Sequence, residues 1–353
     1  MVPDNPPQRV SLRDIAKKLG VSHAAVSMAL HDHSRISPAM REKIQTAARE
    51  MGYQPDPMLT ALSHYRKNKR DIPVHSAIAW INCWPVPRQL REHREFELYW
   101  QGASAAAEKF GYRVEEFIVG GEMPPRRVEE VLLARGIKGI LLPPGSGQLG
   151  LNNWSDFHWE HFSVVRFGRS WTFPNAHIVT SDQVGNTMLA FKSMREKGYR
   201  RIGFVTGRDS FPWALFEGGY LLSQAHVEPN VRLPLLTLKN SSTEKNLKTL
   251  VAWIKKHKPD AILSDVAALR GMLSRAGFRV PEDIALAAES VLDGNADAGI
   301  YQNPEEIGRV AFLVVMSLIN DNANGIPPIF RQVLVSGRWV DGITLPSRAP
   351  REP

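Results

Sequence analysis

Residues 20–33, "GVSHAAVSMALHDH", hold side chains whose chemistry can be stated at once. Ser22 and Ser27 carry hydroxyls suited to phosphate oxygens, and His23 can hydrogen-bond a base edge. Ala24 and Met28 can touch thymine methyl groups. No Arg, Gln or Asn stands among the outward positions His23, Ala24, Ala25 and Met28, so strong guanine readout from here is not expected.

These residues can act together only if a helix presents them, and the punctuation places three short helices. The first is expected over Leu12–Leu19, with Ser11 as N-cap, Asp14 three residues on, and Leu12, Ile15, Ala16 and Leu19 on one face. Gly20 supplies a permissive turn. Ser22 caps the second helix, whose Ala25, Val26, Ala29 and Leu30 turn inward. Ser37 and Pro38 open the third, with Met40, Ile44, Ala47 and Met51 as its stripe and Gly52 at its end. Two helices joined by a turn of about four residues containing Gly form a helix-turn-helix signature.

The charge supports a polyanionic partner. Of the formal net charge of +8, residues 1–70 contribute +6, from 12 Lys and Arg against 6 Asp and Glu. A small basic head on a near-neutral body of 283 residues points to double-stranded DNA. With 353 residues and 43% hydrophobic content the chain can build two or three domains. The single Cys83 excludes an intramolecular disulfide. "MVPDNPPQRV" has no apolar run of a secretory signal, and "VAFLVVMSLI" is about half a membrane span. A cytoplasmic protein with no membrane contact is expected.

The segment "VSLRDIAKKLGVSHAAVSMALHDHSRISPAMREKIQTAAREMGYQPDPMLTAL" resembles, without gaps, the N-terminal domain of the lactose-repressor (LacI/GalR) family of bacterial transcription regulators. The shared pattern is "DIAKKLGVSHAAVS", "ISPAMREKI" and "GYQP". The resemblance implies that the second helix enters the major groove and that a homodimer spans a roughly palindromic operator. It assigns DNA contacts to Ser11, Leu12, Ser22, His23, Ala24, Ser27, Met28, His31, Arg35, Ser37, Tyr53, Leu59 and Leu62. After Tyr53, Asp56 can cap a helix starting at Pro57, with Met58, Leu59 and Leu62 on its apolar face. About ten residues make a marginal helix alone. The resemblance makes this the family's hinge helix, ordered on operator binding, with Leu62 wedged into the minor groove. Arg66, Lys67, Lys69 and Arg70 follow, placed for phosphates. Pro57 departs from the Arg often found there.

From about residue 76 strands and helices alternate: "SAIAWINC", "FELYWQGASAAAEKFG", "YRVEEFIV", "RVEEVLLARG", "KGILLPP" and "FSVVRFG". After residue 178 the alternation restarts with "QVGNTMLAFKSMREKG" and "RIGFVTG" and runs to "DIALAA". The fold class expected is an all-α helix-turn-helix head plus an α/β two-lobed body of two doubly wound parallel sheets. Its domains are 1–56 as the head, 57–75 as hinge helix and linker, and 76–353 as the effector-binding and dimerisation domain. Within the last, the N-lobe is about 76–177 and 304–337 and the C-lobe about 178–303 and 338–353. Ligands in open α/β sheets sit beyond the carboxyl ends of strands, where Trp84, Ser146, Asp182, Ser264, Asp265 and Ser290 fall.

"YWQGASAAAEKFGY", "MREKGYRRIGFVTG", "PDAILSD", "AGFRVPEDIAL", "IYQNPEEIGRVA" and "WVDGITL" resemble the same family's effector domain, a periplasmic-binding-protein-like fold. The resemblance implies allosteric control by a small ligand, a sugar or sugar derivative, in the cleft between lobes. Its effector-binding set here is Trp84, Ser146, Asp182, Trp213, Phe216, Ser264, Asp265, Ser290 and Gln302. Three positions depart from the pattern: Phe216 replaces an Arg, Ser264 precedes Asp265 where Asn is usual, and Ser290 replaces an Asp. The lost Arg and Asp commonly bind sugar hydroxyls. Trp84, Trp213, Tyr220 and Phe211 could still stack on a sugar ring.

Two other signals carry no function. "GSGQLG", residues 145–150, follows a strand but opens no amphipathic helix, so a dinucleotide is not expected. His158, Glu160 and His161, with Asp156 nearby, do not put both histidines on one helix face as a zinc site would. No cofactor, metal or catalytic residue is expected. The rival readings are a solute-binding protein and a sugar-metabolising α/β enzyme with a fused DNA-binding head. The leading one is a ligand-responsive repressor. The family's tetramers use a C-terminal heptad helix, and "LPSRAPREP" stands at that place, so a dimer is expected.

Overall fold

A computed structural model describes residues 12–30, 36–51, 76–120, 123–146, 154–171, 173–207, 214–238 and 243–348, without the side chains of Ala24, Ser27 and Thr243. Contacts divide the chain into two units, Met1–Ile72 and Pro73–Pro353.

In the first unit, α1 (Leu12–Leu19), α2 (His23–Leu30) and α3 (Pro38–Glu50) surround a core of Ile15, Ala16, Val26, Ala29, Ile44 and Ala48. α1 ends as its sequence demands. Gly20 adopts φ +65°, and the Val21 N–H bonds back to the Ala16 carbonyl at 3.1 Å, a Schellman closure that only a residue free of Cβ strain makes cheaply. Ser22 accepts from the Ala25 N–H at 3.1 Å, and Ser37 from Met40 at 3.4 Å ahead of Pro38. Gln45 of α3 donates to the Ala29 carbonyl at 3.2 Å, fixing the end of α2. The stripe on α3 needs one correction: Met40 is 37% exposed, and buried Ala48 takes its place. Met40 lies in the first turn of α3.

Among its described residues the second unit holds two six-stranded sheets. β1 (Ser76–Asn82), β2 (Tyr112–Ile118), β3 (Gly139–Leu142), β4 (Ser163–Phe167), β5 (His177–Ser181) and β11 (Gln332–Val335) form the first, ordered β11-β5-β4-β3-β1-β2 and parallel throughout. β6 (Ile202–Thr206), β7 (Leu236–Thr237), β8 (Ala261–Ser264), β9 (Ala285–Ala288), β10 (Gly299–Tyr301) and β12 (Arg338–Val340) form the second, ordered β12-β10-β9-β8-β6-β7. Only β12 breaks its parallel direction, by pairing antiparallel with β10.

Helices cover both faces of each sheet, as the buried strands require. α5 (Arg94–Lys109) and α11 (Pro304–Asn320) pack on one face of the first sheet over Trp80, Val165 and Phe167. α6 (Pro125–Ala134) covers the other. α7 (Gln183–Glu196) and α8 (Leu215–Ala225) flank the second sheet on one side, and α9 (Thr243–His257) and α10 (Leu269–Arg275) on the other. A short α4 (Arg88–Glu92) precedes α5. "VAFLVVMSLI" lies within α11, with Ala311, Phe312, Val315, Met316 and Leu318 buried. Among the described residues no helix is long and apolar enough to cross a membrane.

The sheets exchange chain later than the alternation indicated. His177–Ser181 is a fifth parallel strand of the first sheet, so the crossing follows Ser181 rather than residue 177. "LPLLTL" yields only Leu236–Thr237 as strand.

Candidate functional site

The head presents α2 through its caps. Val26 and Ala29 are buried, Ser22 and His23 are exposed, and Met28 is half-buried. Capping uses the oxygen of Ser22 as acceptor, which leaves its O–H free to donate to a phosphate. Ser37 stands the same way at α3. Leu12 is half-buried against the head core. Ser11, His31, Arg35, Tyr53, Leu59 and Leu62 lie outside the described residues, as does the whole hinge segment.

In the second unit, a cavity of about 1010 Å³ opens where the carboxyl ends of the two sheets face each other. Both sheets reverse winding there. In the first, the chain leaves the neighbouring strands β1 and β3 toward opposite edges, and Trp84 follows β1 while Pro144–Ser146 follow β3. In the second, the chain leaves the neighbouring strands β6 and β8 toward opposite edges, and Asp265 links their ends: it accepts from Thr206 Oγ1 at 3.0 Å and from the Gly207 N–H at 3.1 Å. Such switch points are where open α/β sheets bind ligands.

The N-lobe wall is aromatic. Trp84 is held by its backbone N–H on Asn82 Oδ1 at 3.0 Å and by its indole N–H on the Pro144 carbonyl at 2.8 Å. Its ring lies 5.1 Å from His93, which lies 5.1 Å from Phe96; Tyr99 then stacks on Phe167 at 5.2 Å. Offset or edge-on ring contacts of this kind hold a flat apolar surface rigid. Gly168, Arg169 and Ser170 extend the wall after β4.

The C-lobe wall is acidic and polar. Glu289, at the end of β9, is 1% exposed and accepts from Thr187 Oγ1 at 2.8 Å. Gln302 donates to the Glu289 carbonyl at 2.9 Å. Ser290 accepts from the Leu292 N–H at 3.4 Å. On α8, burial and the charge of Asp265 raise the Glu217 carboxyl above its ordinary value. Phe216 is 3% exposed and supplies an apolar patch.

Of the residues expected at the cavity, Trp84, Ser146, Phe216, Asp265, Ser290 and Gln302 meet there. Asp182 and Ser264 do not line it. Asp182 turns back to cap α7, accepting from the Gly185 N–H at 3.0 Å. Ser264, 1% exposed, donates to the Val205 carbonyl at 2.7 Å. Tyr220 is core: fully buried, stacked on Phe204, its hydroxyl on the Leu233 carbonyl at 2.8 Å. Trp213 and Phe211 lie outside the described residues. Sequence reasoning missed His93, Phe96, Tyr99, Arg169 and Glu289. The last two stand just past β4 and β9, where the strand-end rule that selected Trp84 and Asp265 also points.

Comparison with known proteins bears on both units. The family model described as bacterial regulatory proteins, lacI family, matches residues 11–56, and a periplasmic binding protein-like domain matches residues 191–343. The chain carries a lacI-type DNA-binding head and a periplasmic-binding-protein-like body. Among curated relatives, the HTH-type transcriptional repressor CytR of Escherichia coli (strain K12) is 26% identical over 87% of this chain and 89% of its own length. The HTH-type transcriptional regulator MalR of Streptococcus pneumoniae (strain ATCC BAA-334 / TIGR4) is 23% identical over 92% and 97%. Solved structures agree in fold. A cellobiose complex of the regulator CelR has a TM-score of 0.53 at 17% identity, covering 95% of this chain and 100% of that one. The lac repressor dimer bound to operator and an anti-inducer has a TM-score of 0.53 at 16% identity, covering 96% and 99%.

Among the described residues three crossings join the lobes and bond to one another. The Asp182 N–H reaches the Val335 carbonyl at 2.9 Å. The Gly337 N–H reaches Asn186 Oδ1 at 2.7 Å, and Asn303 Nδ2 reaches the Ser336 carbonyl at 2.8 Å. Asn303 sits at φ +54°, a left-handed conformation that Asn tolerates better than most residues. A few such terminal residues can absorb a hinge rotation between two rigid lobes.

Proposed function

We propose that this chain is a sequence-specific DNA-binding transcriptional repressor whose operator affinity is set by a small ligand in the inter-lobe cleft. One observation carries the reading: a cavity built from strand ends of both lobes stands in the same chain as a capped helix-turn-helix. A ligand touching both walls binds one lobe arrangement better than another, and that difference is all it can transmit. Effector contacts fall to Trp84, Ser146, Phe216, Asp265, Ser290 and Gln302, joined by Phe96 and Glu289. DNA contacts fall to Ser22, His23, Ala24, Ser27 and Met28 on α2 and to Leu62 in the hinge.

The ligand is a carbohydrate or a derivative, by analogy with relatives whose names include a sucrose operon repressor and with a cellobiose-bound structure of the same fold. The working form is a cytoplasmic homodimer on a two-fold operator, with residues 1–56, 57–75 and 76–353 as head, hinge and effector domain. The wall offers acceptors and rings for binding, and no catalytic step is assigned to it. The test is selection of bound DNA from a random pool, repeated with a sugar panel. A recovered palindromic site whose retention changes with one sugar supports the reading. Absence of any enriched sequence, or turnover of a panel member, contradicts it.

A further inference from the structure

Arg166 and Arg169 are adjacent in the N-lobe, and neither has a carboxylate partner among the described residues. Arg166 is 5% exposed. Its guanidinium donates to the Trp171 carbonyl at 2.5 Å and to Asn175 Oδ1 at 3.1 Å, both neutral acceptors, and its Nε has none. Burial, then the charge of Arg169, hold its pKa below the usual guanidinium value. Arg169 lines the cleft. One of its terminal nitrogens donates to Gln332, while its Nε is shielded from water and has no acceptor. Two other arginines of the lobe, Arg91 and Arg135, are neutralised locally by Glu97 and Glu115. Two neighbouring cations with no counter-ion among the described residues, one buried and one on the cavity wall, form a place where an anion lowers the energy of both.

Beside Arg169, Ser170 accepts from the Gly145 N–H at 2.8 Å, so its own O–H remains a donor at the same wall. Across the cleft, Asp265 and Gln302 offer acceptor oxygens suited to hydroxyls. We propose that the cleft takes an anionic polyol, a sugar bearing a carboxylate or a phosphate, with its anionic group on Arg169 and Ser170 and its hydroxyls on Asp265 and Gln302. The inference rests on the cleft being the effector site. It assigns the charge of the ligand and the end of the cleft that reads it. A planar guanidinium binds either anion through paired N–H donors.

Calorimetric titration of the full chain with glucose, glucuronate, glucose 6-phosphate and glucosamine separates the possibilities. The expected result is that glucuronate or glucose 6-phosphate binds at least about tenfold more tightly than glucose. Which of the two wins tells carboxylate from phosphate. Raising salt from about 0.05 to about 0.5 M should weaken only the anionic ligand's binding. Arg169→Gln should erase the preference, and Arg169→Lys should retain part of it, both with an unchanged circular dichroism spectrum. The proposal is overturned if neither anion outbinds glucose, if glucosamine binds best, or if Arg169→Gln keeps the preference. Operator binding, measured on the same samples, separates the two readings. Its retention without an anionic preference removes only this inference, and its absence removes the regulator reading as well.

Discussion

Thr187 Oγ1 donates to Glu289 Oε1 at 2.8 Å, tying the second turn of α7 to the end of β9 across 102 positions of sequence. Both residues are buried, and Glu289 lines the cavity, so this bond holds a carboxylate in place on the C-lobe wall. Thr187→Val keeps the shape and removes the donor. It should cost about 1–3 kcal/mol of stability, the usual penalty for stripping a partner from a buried polar group. Thr187→Ser should restore most of it. Chemical denaturation showing wild-type stability in Thr187→Val would contradict this role.

α5 and α11 meet at two glycines. A Cβ on Gly308 would overlap the Tyr99 carbonyl oxygen, and one on Gly102 the Glu305 carbonyl oxygen. Gly308→Ala must therefore push the helices apart, at a cost of about 3 kcal/mol. Tyr99 belongs to the cavity wall, so ligand affinity should fall with stability. A variant that melts at the wild-type temperature would show that the two helices separate freely.

His177 gives the second unit a pH dependence. Its Nδ1 accepts from the Arg331 N–H at 2.9 Å, which requires the neutral ring, and burial, then Arg331, lower its pKa from the ordinary 6.5. The unfolded chain then binds a proton that the folded one refuses. Stability should be full above about pH 6.5 and decline as pH falls below it. Thermal melts from pH 7.5 to about 5 check the trend, and His177→Gln should flatten it. An equal slope in that variant would assign the effect to other groups.

The caps and the strand ends were legible in the sequence to different degrees. Ser22, Ser37 and Gly20 announce their helices because a cap is a local event between residues three to five positions apart. Trp84 and Asp265 were found by the rule that strand ends face ligands. The same rule selected Asp182 and Ser264, whose short side chains bond the nearby backbone instead. Residue type and position cannot separate these outcomes, since a cap and a ligand contact ask for the same oxygen. β10, β11 and β12 escaped notice because they span only three or four residues, and β11 and β12 bury none of theirs fully. His93 and Phe96 reach the cavity from the start of α5, away from any strand end.

On the DNA side, α2 offers few polar readers, so deformation of the duplex should carry much of the specificity. Leu62→Ala is expected to reduce discrimination between matched and mismatched operators more than Met28→Ala does, the former by about tenfold. Titrations on both operators check the order. The reverse order would place the readout on α2.

The central claim is that ligand in the cleft controls operator affinity, and fluorescence anisotropy of labelled operator tests it most directly. The full chain should bind the selected operator, and the effector found by titration should shift that affinity at least about fivefold, the lower range of allosteric coupling. Trp84→Ala, altered only at the cavity wall, should bind operator as the wild type does and lose the shift. An unchanged operator affinity at saturating effector, or a full shift in Trp84→Ala, would contradict the account.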